Sequence, residues 1–156
     1  MVGAFDVQSK RGSIWHRWDP HIHTPGTALN NQYSGQNPWE DFLSAIEASD
    51  PPIRALGITD YFSIERYEEV VKQQGQGRIA NIGLIFPNVE LRLSIETSKA
   101  SAVNIHLLFS PEDQDHVDQI KRFLLGLDFE YQGGLYRCCR DDLIRLGRTH
   151  QPGGDD

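Results

Sequence analysis

The chain has only two cysteines, a single methionine and no apolar run approaching the ~20 residues needed to span a bilayer. The cysteines are neighbours, Cys138 and Cys139. Adjacent thiols strain a mutual disulfide, and they lack the two-residue spacing of a zinc knuckle. A disulfide scaffold and a zinc finger are therefore both excluded, and the pair reads as buried or half-buried thiols. Basic residues are in the minority, with 15 Lys and Arg against 22 Asp and Glu and a formal net charge of −7. That balance argues against a general nucleic-acid binder working by phosphate neutralisation. It leaves a phosphorylated substrate open, because bound cations invert a local field. No Gly-Lys-Ser/Thr run is present, so the chain carries no phosphate-binding loop of the ATPase kind. Residues 1–12 lack the apolar core of a secretory signal and read as a flexible leader. A cytoplasmic protein with no membrane partner is expected.

Hydrophobic content of 38%, charged content of 24% and three Trp describe an ordinary globular chain long enough for one domain with a core. Its patterning alternates. Ile14–Ile22 has strand composition, and Thr24–Pro38 is a loop rich in Pro, Gly, Asn and Gln. A loop of that length after a strand is more often functional than idle. Pro38–Ser49 reads as a helix with Pro and acidic residues at its start and Trp39, Phe42, Leu43 and Ile46 at helical spacing. Ile53–Thr59 reads as a strand, and residues 64–74 as a helix capped by Ser63. Strands follow at Ile82–Phe86, Val89–Leu93 and Val103–Phe109. Ser110-Pro111-Glu112 predicts a helix start, with Val117, Ile120, Phe123, Leu124 and Leu127 as its apolar stripe. A last short helix is expected over 141–146. About five strands alternating with helices argue for an α/β domain with a largely parallel sheet, occupying residues 13–147, and 148–156 reads as a disordered tail.

Trp18-Asp19-Pro20-His21-Ile22-His23-Thr24 is the segment richest in chemistry. Alternate residues of a strand share a face, so His21 and His23 project together, as two imidazoles suited to a borderline transition metal. Asp60, Glu90 and His106 also sit in or at the end of predicted strands, each in an apolar context where a polar group has to be satisfied. Taken singly, each has a plainer reading. Asp60 orients a loop or caps the next helix, Glu90 faces solvent from an edge strand, and His106 is a neutral core histidine. Their recurrence on successive strands favours a shared site, since functional groups in such sheets gather at strand ends.

These residues carry a family resemblance. Residues 18–24 resemble the opening Asp-Leu-His-x-His-Thr of PHP (polymerase and histidinol phosphatase) domains. Gly57-Ile58-Thr59-Asp60 is similar to their second motif, Pro87-Asn88-Val89-Glu90 to the strand bearing a metal-bridging glutamate, and Ile105-His106-Leu107-Leu108 to the next ligand-bearing strand. Ala28 to Asn31 and Ile58 to Ser63 further resemble the variety that precedes an SMC-like ATPase portion. The resemblance implies part of a distorted (β/α)7, TIM-like barrel. It also implies a cluster of divalent ions (Zn, Mn or Fe) that hydrolyses phosphate mono- or diesters. His21 and His23 would ligate the first metal, Glu90 would bridge, and His106 would ligate the second, with Asp60 and Glu90 as catalytic residues.

The departures from the family pattern shape the expectation. Tyr61 stands where the family has a histidine, and Ala28, Leu29 and Asn30 occupy the stretch of another ligand. Those positions serve the third metal, so two ions are expected. The later ligands, a histidine and an Asp-x-His, have no counterpart before residue 156, and His150 lies outside a strand context. The chain thus resembles a truncated version of its relatives. Three functions follow. The first is a phosphoesterase acting on a phosphorylated small molecule or nucleic acid, with an SMC-like ATPase as companion. The second is a catalytically incompetent fragment serving as a scaffold. The third is an amidohydrolase-type enzyme, disfavoured because Lys72, Lys99 and Lys121 fall in helix or loop contexts.

Overall fold

The computed structural model describes residues 15–28, 30–96 and 102–150, so the expected leader at 1–12 lies outside the described residues. The chain divides into two compact units, Met1–Pro111 and Glu112–Asp156. The first holds β1 (Arg17–His23), α1 (Pro38–Glu47), β2 (Ile53–Tyr61), α2 (Glu65–Gly75), β3 (Leu84–Glu96) and β4 (Ala102–Leu108). The second holds α3 (His116–Leu125), β5 (Asp128–Tyr131), β6 (Gly134–Arg137) and α4 (Arg140–His150). The architecture is mixed α/β. Among the described residues no helix is long and apolar enough to cross a membrane.

The sheet of the first unit runs β1-β2-β3-β4. β1 and β2 pair in parallel, as do β2 and β3, whereas β4 returns antiparallel to β3. β2 lies inside the sheet and buries residues on both faces, including Ile53, Ala55, Leu56 and Ile58. That explains its continuous apolar run rather than an alternating one. Around it, α1 buries Phe42, Leu43 and Ile46, and α2 buries Tyr67 and Val70. Arg78 ties α1 to the chain beyond α2 by donating to Glu40 Oε2 at 2.6 Å and Glu47 Oε1 at 2.9 Å.

Two strands expected at 82–86 and 89–93 are one, β3, which passes straight through Pro87. A proline in a paired strand costs a donor. Here the cost is contained, because Pro87 stands where β4 ends. Asn88 pairs with Leu108, the last residue of β4, and the Pro87 carbonyl accepts from Phe109 N at 3.0 Å. β1 is irregular: between Asp19 and Ile22 its register against β2 slips, since Asp19 faces Leu56 and Ile22 already faces Ile58. Such a bulge re-aims side chains. Gly57 makes room for it, because a Cβ there would stand 2.2 Å from the Pro20 carbonyl oxygen.

In the second unit Ile120, Leu124, Tyr136 and Cys138 are buried. Both cysteines are free, one buried and one half-buried, as their adjacency leads one to expect. α3 starts at His116, not after Ser110, because a turn closed by His116 N on Asp113 O comes first. Proline is compatible with extended chain as well as with a first helical turn. The β5–β6 hairpin was not foreseen. Gln132 and Gly133 both take positive φ, 48° and 79°, the backbone a two-residue hairpin turn of type I′ requires. α4 is longer than expected, so 148–150, assigned above to the tail, are helical. Residues 151–156 lie outside the described residues.

Candidate metal centre

β1 delivers His21 and His23 to one place, and β3 delivers Glu90 opposite them. The two Nε2 atoms are 3.1 Å apart, and each lies 3.7 Å from Glu90 Oε2. These three donor atoms form the one group of this kind among the described residues that can hold a metal ion. A point equidistant from them lies ~2.0 Å from each, which is the Zn–N and Zn–O bonding range. The triangle has the size of one transition-metal ion.

Burial sharpens the case. The Glu90 side chain is 5% exposed and that of His23 11%, whereas His21 is 46% exposed and opens the cluster to solvent. Glu90 Oε2 and His23 Nδ1 are buried without a hydrogen-bond partner. An unpaired buried carboxylate oxygen costs several kcal/mol unless a cation compensates it. Two histidines and a carboxylate are also a donor set suited to Zn, Mn or Fe. The residues therefore fit a divalent ion. Burial, and then the neighbouring His21, push the His23 imidazole below its ordinary pKa despite the opposing pull of Glu90. At neutral pH it is unprotonated and ready to ligate.

Asn88 arranges the surroundings. Its Nδ2 donates to the Pro20 carbonyl at 2.9 Å and to Thr59 Oγ1 at 3.0 Å. A carbonyl only accepts, so the amide orientation is settled and Asn88 Oδ1 faces His106 Nδ1 at 3.1 Å. His106 Nδ1 is then the donor of that pair. Asn88 thus clasps the β1 bulge with one end and orients a histidine with the other.

His106 pairs with Glu90 across β3 and β4 and lays its ring 4.4 Å from that of His21. It borders the triad without belonging to the close group. It arrives on an antiparallel strand, not at the shared C-terminal edge that a fully parallel sheet would give. Tyr61 stacks on His23, with centroids 5.4 Å apart and planes 10° from parallel. Burial and the adjacent Glu90 carboxylate raise its phenol above the ordinary value, so it stays protonated.

Asp60 points elsewhere. Its Oδ2 accepts from Ser63 Oγ at 2.5 Å and from Arg66 N at 3.4 Å, and its Oδ1 from Tyr61 N at 3.1 Å. The N-cap residue Ile64 makes no side-chain cap, and Ser63, whose Oγ accepts from Glu65 N at 3.4 Å, and Asp60 serve the start of α2 instead. Burial is the main influence on this carboxyl and raises its pKa despite those bonds. Of the residues singled out by sequence, the structure joins His21, His23 and Glu90, sets His106 beside them, and gives Asp60 to the helix.

Asn88, Asn104 and Tyr61 were not given roles by sequence reasoning. The signal for the asparagines was there: each precedes a singled-out residue by two, and so shares its face. Comparison with family models, with curated proteins and with solved structures found no match.

Proposed function

We propose that this chain is a metal-dependent phosphoesterase of the PHP type, its described sheet forming part of a distorted (β/α)7 barrel. The observation that carries the reading is the convergence of His21, His23 and the unpartnered Glu90 oxygen on one ion-sized triangle. His21, His23 and Glu90 would hold the cation. A bound divalent cation supplies Lewis-acid polarisation of a phosphoryl oxygen and acidifies water. Glu90 offsets its charge, His21 stands at the open side where substrate enters, and Tyr61 covers His23 with an aromatic face. The resemblance to domains that precede SMC-like ATPases supports a phosphorylated small molecule or nucleic acid as substrate and such an ATPase as companion.

One observation favours a second reading, a metal-binding scaffold without turnover: among the described residues Glu90 is the single carboxylate in the cluster. The deciding experiment loads the chain with Mn²⁺ or Zn²⁺, removes free metal, and follows hydrolysis of an aryl phosphate beside His23→Ala. Expected is turnover in the parent, and in the variant a loss of metal affinity beyond the ~10–100-fold that changes behind a ligand cost. Metal retained without turnover would favour the scaffold. Turnover undiminished in His23→Ala would overturn the site.

A further inference from the structure

We propose that Arg92 is a substrate-binding residue of the metal centre, its guanidinium receiving the non-bridging oxygens of a phosphoryl group carried by the bound cation. The inference rests on the metal-dependent reading above and adds to it the residue that recognises the substrate's charge.

Strand register puts Arg92 on the face of the site. Tyr61 is the last residue of β2 and pairs with Glu90. β3 runs on past that point, so Arg92, two residues further, shares the face of Glu90 beyond the end of β2. Across the β3–β4 ladder Glu90 faces His106 and Arg92 faces Asn104, which adds two residues of β4 to the same face. In α/β sheets, groups that meet a substrate gather at such strand ends. Exposure agrees, since Glu90 is buried whereas Arg92 stands open to solvent.

The guanidinium is held but not neutralised. Arg92 Nε donates to Asn104 Oδ1 at 3.4 Å, and Asn104 Nδ2 donates to Glu90 Oε1 at 2.5 Å. One amide therefore fixes the arginine relative to the carboxylate that faces the metal. The plainer role for Arg92 is to pair with Glu90. Among the described residues, however, the ion-pair partners of Glu90 are His21 and His23. Nε is the nitrogen in use, which leaves Nη1 and Nη2 to meet two phosphate oxygens as a planar fork. Burial and Glu90 raise the Tyr61 phenol while Arg92 draws it back, so a hydroxyl donor lies near the guanidinium.

Charge decides what fits there. A divalent ion on His21, His23 and Glu90 would stand near a second cation, and like charges repel. An oxyanion between them turns that repulsion into two attractions. A neutral amide or lactone supplies no such charge.

Phosphate binding, followed apart from turnover, is the test. The chain is loaded with Mn²⁺, desalted and titrated with inorganic phosphate by calorimetry, beside Arg92→Gln and Arg92→Lys. Mn²⁺ affinity is measured on the same proteins against a chromophoric chelator. Expected in Arg92→Gln is phosphate affinity lowered ~10–100-fold, the loss of a charge-assisted contact. Arg92→Lys should fall between, because it keeps the charge without the fork. Mn²⁺ affinity should stay within about threefold in both, since neither removes a ligand. Parental phosphate affinity in Arg92→Gln would overturn the inference. So would a Mn²⁺ affinity that falls in step with that for phosphate, which would make Arg92 a support for Glu90. A parent that binds Mn²⁺ but not phosphate would overturn it too and leave the metal centre standing, whereas no Mn²⁺ in the parent would overturn both. Should Arg92→Gln not fold by circular dichroism, Arg92→Lys decides by the same comparison.

Discussion

Gly57→Ala tests whether the metal centre depends on how closely β1 lies against β2. The added Cβ would stand 2.2 Å from the Pro20 carbonyl oxygen, 2.6 Å from its carbon and 2.8 Å from Phe86 Cε2. Two of these neighbours are backbone, so β1 itself has to retreat, by roughly 1 Å to reach ordinary contact. Overpacking of that sort costs ~1–3 kcal/mol. The retreat also stretches the 2.9 Å bond from Asn88 Nδ2 to Pro20 O past its useful length, a further ~1 kcal/mol. A total of ~2–4 kcal/mol corresponds to a fall in Tm of about 4–15 °C for a chain of this size. His21 follows Pro20 directly in the bulge, so metal affinity should drop ~10–100-fold as the donor triangle opens. Thermal melting by circular dichroism and competition against a chromophoric chelator measure the two effects. An unchanged Tm would refute the close approach of β1. A lowered Tm with unchanged affinity would refute the claim that the site rides on Pro20.

Two further predictions concern groups outside the triad. Asp60→Ala should destabilise the chain by ~1–2 kcal/mol, the usual cost of a lost helix cap, while leaving metal affinity within about threefold, a change small beside that of losing a ligand; a hundredfold loss in a chelator titration would place Asp60 at the metal instead. Arg78 holds the carboxyls of Glu40 and Glu47 below their ordinary value of 4.5, chiefly by its hydrogen bonds. In that range the unfolded chain binds more protons, so the stabilisation is complete above about pH 4.5 and lost as pH falls through the depressed values. Urea titrations at neutral and acid pH should therefore show a shallower acid loss in Arg78→Met, and an unaltered slope would sink the assignment.

Legibility in the sequence followed the range of the physics involved. α1, β2 and α2 were readable because local periodicity agrees with their burial, as with Phe42, Leu43 and Ile46 on α1. His21, His23 and Glu90 were readable because strand alternation carries a side chain's direction over short distances. What failed was whatever depends on a neighbour. Pro87 looks like a strand break until β4 is seen to end beside it. Gly57 looks like an ordinary strand residue until Pro20 is seen to press on it. Asp60 is expected from its motif to be catalytic, and only the structure shows that its carboxylate also accepts from Ser63 and Arg66.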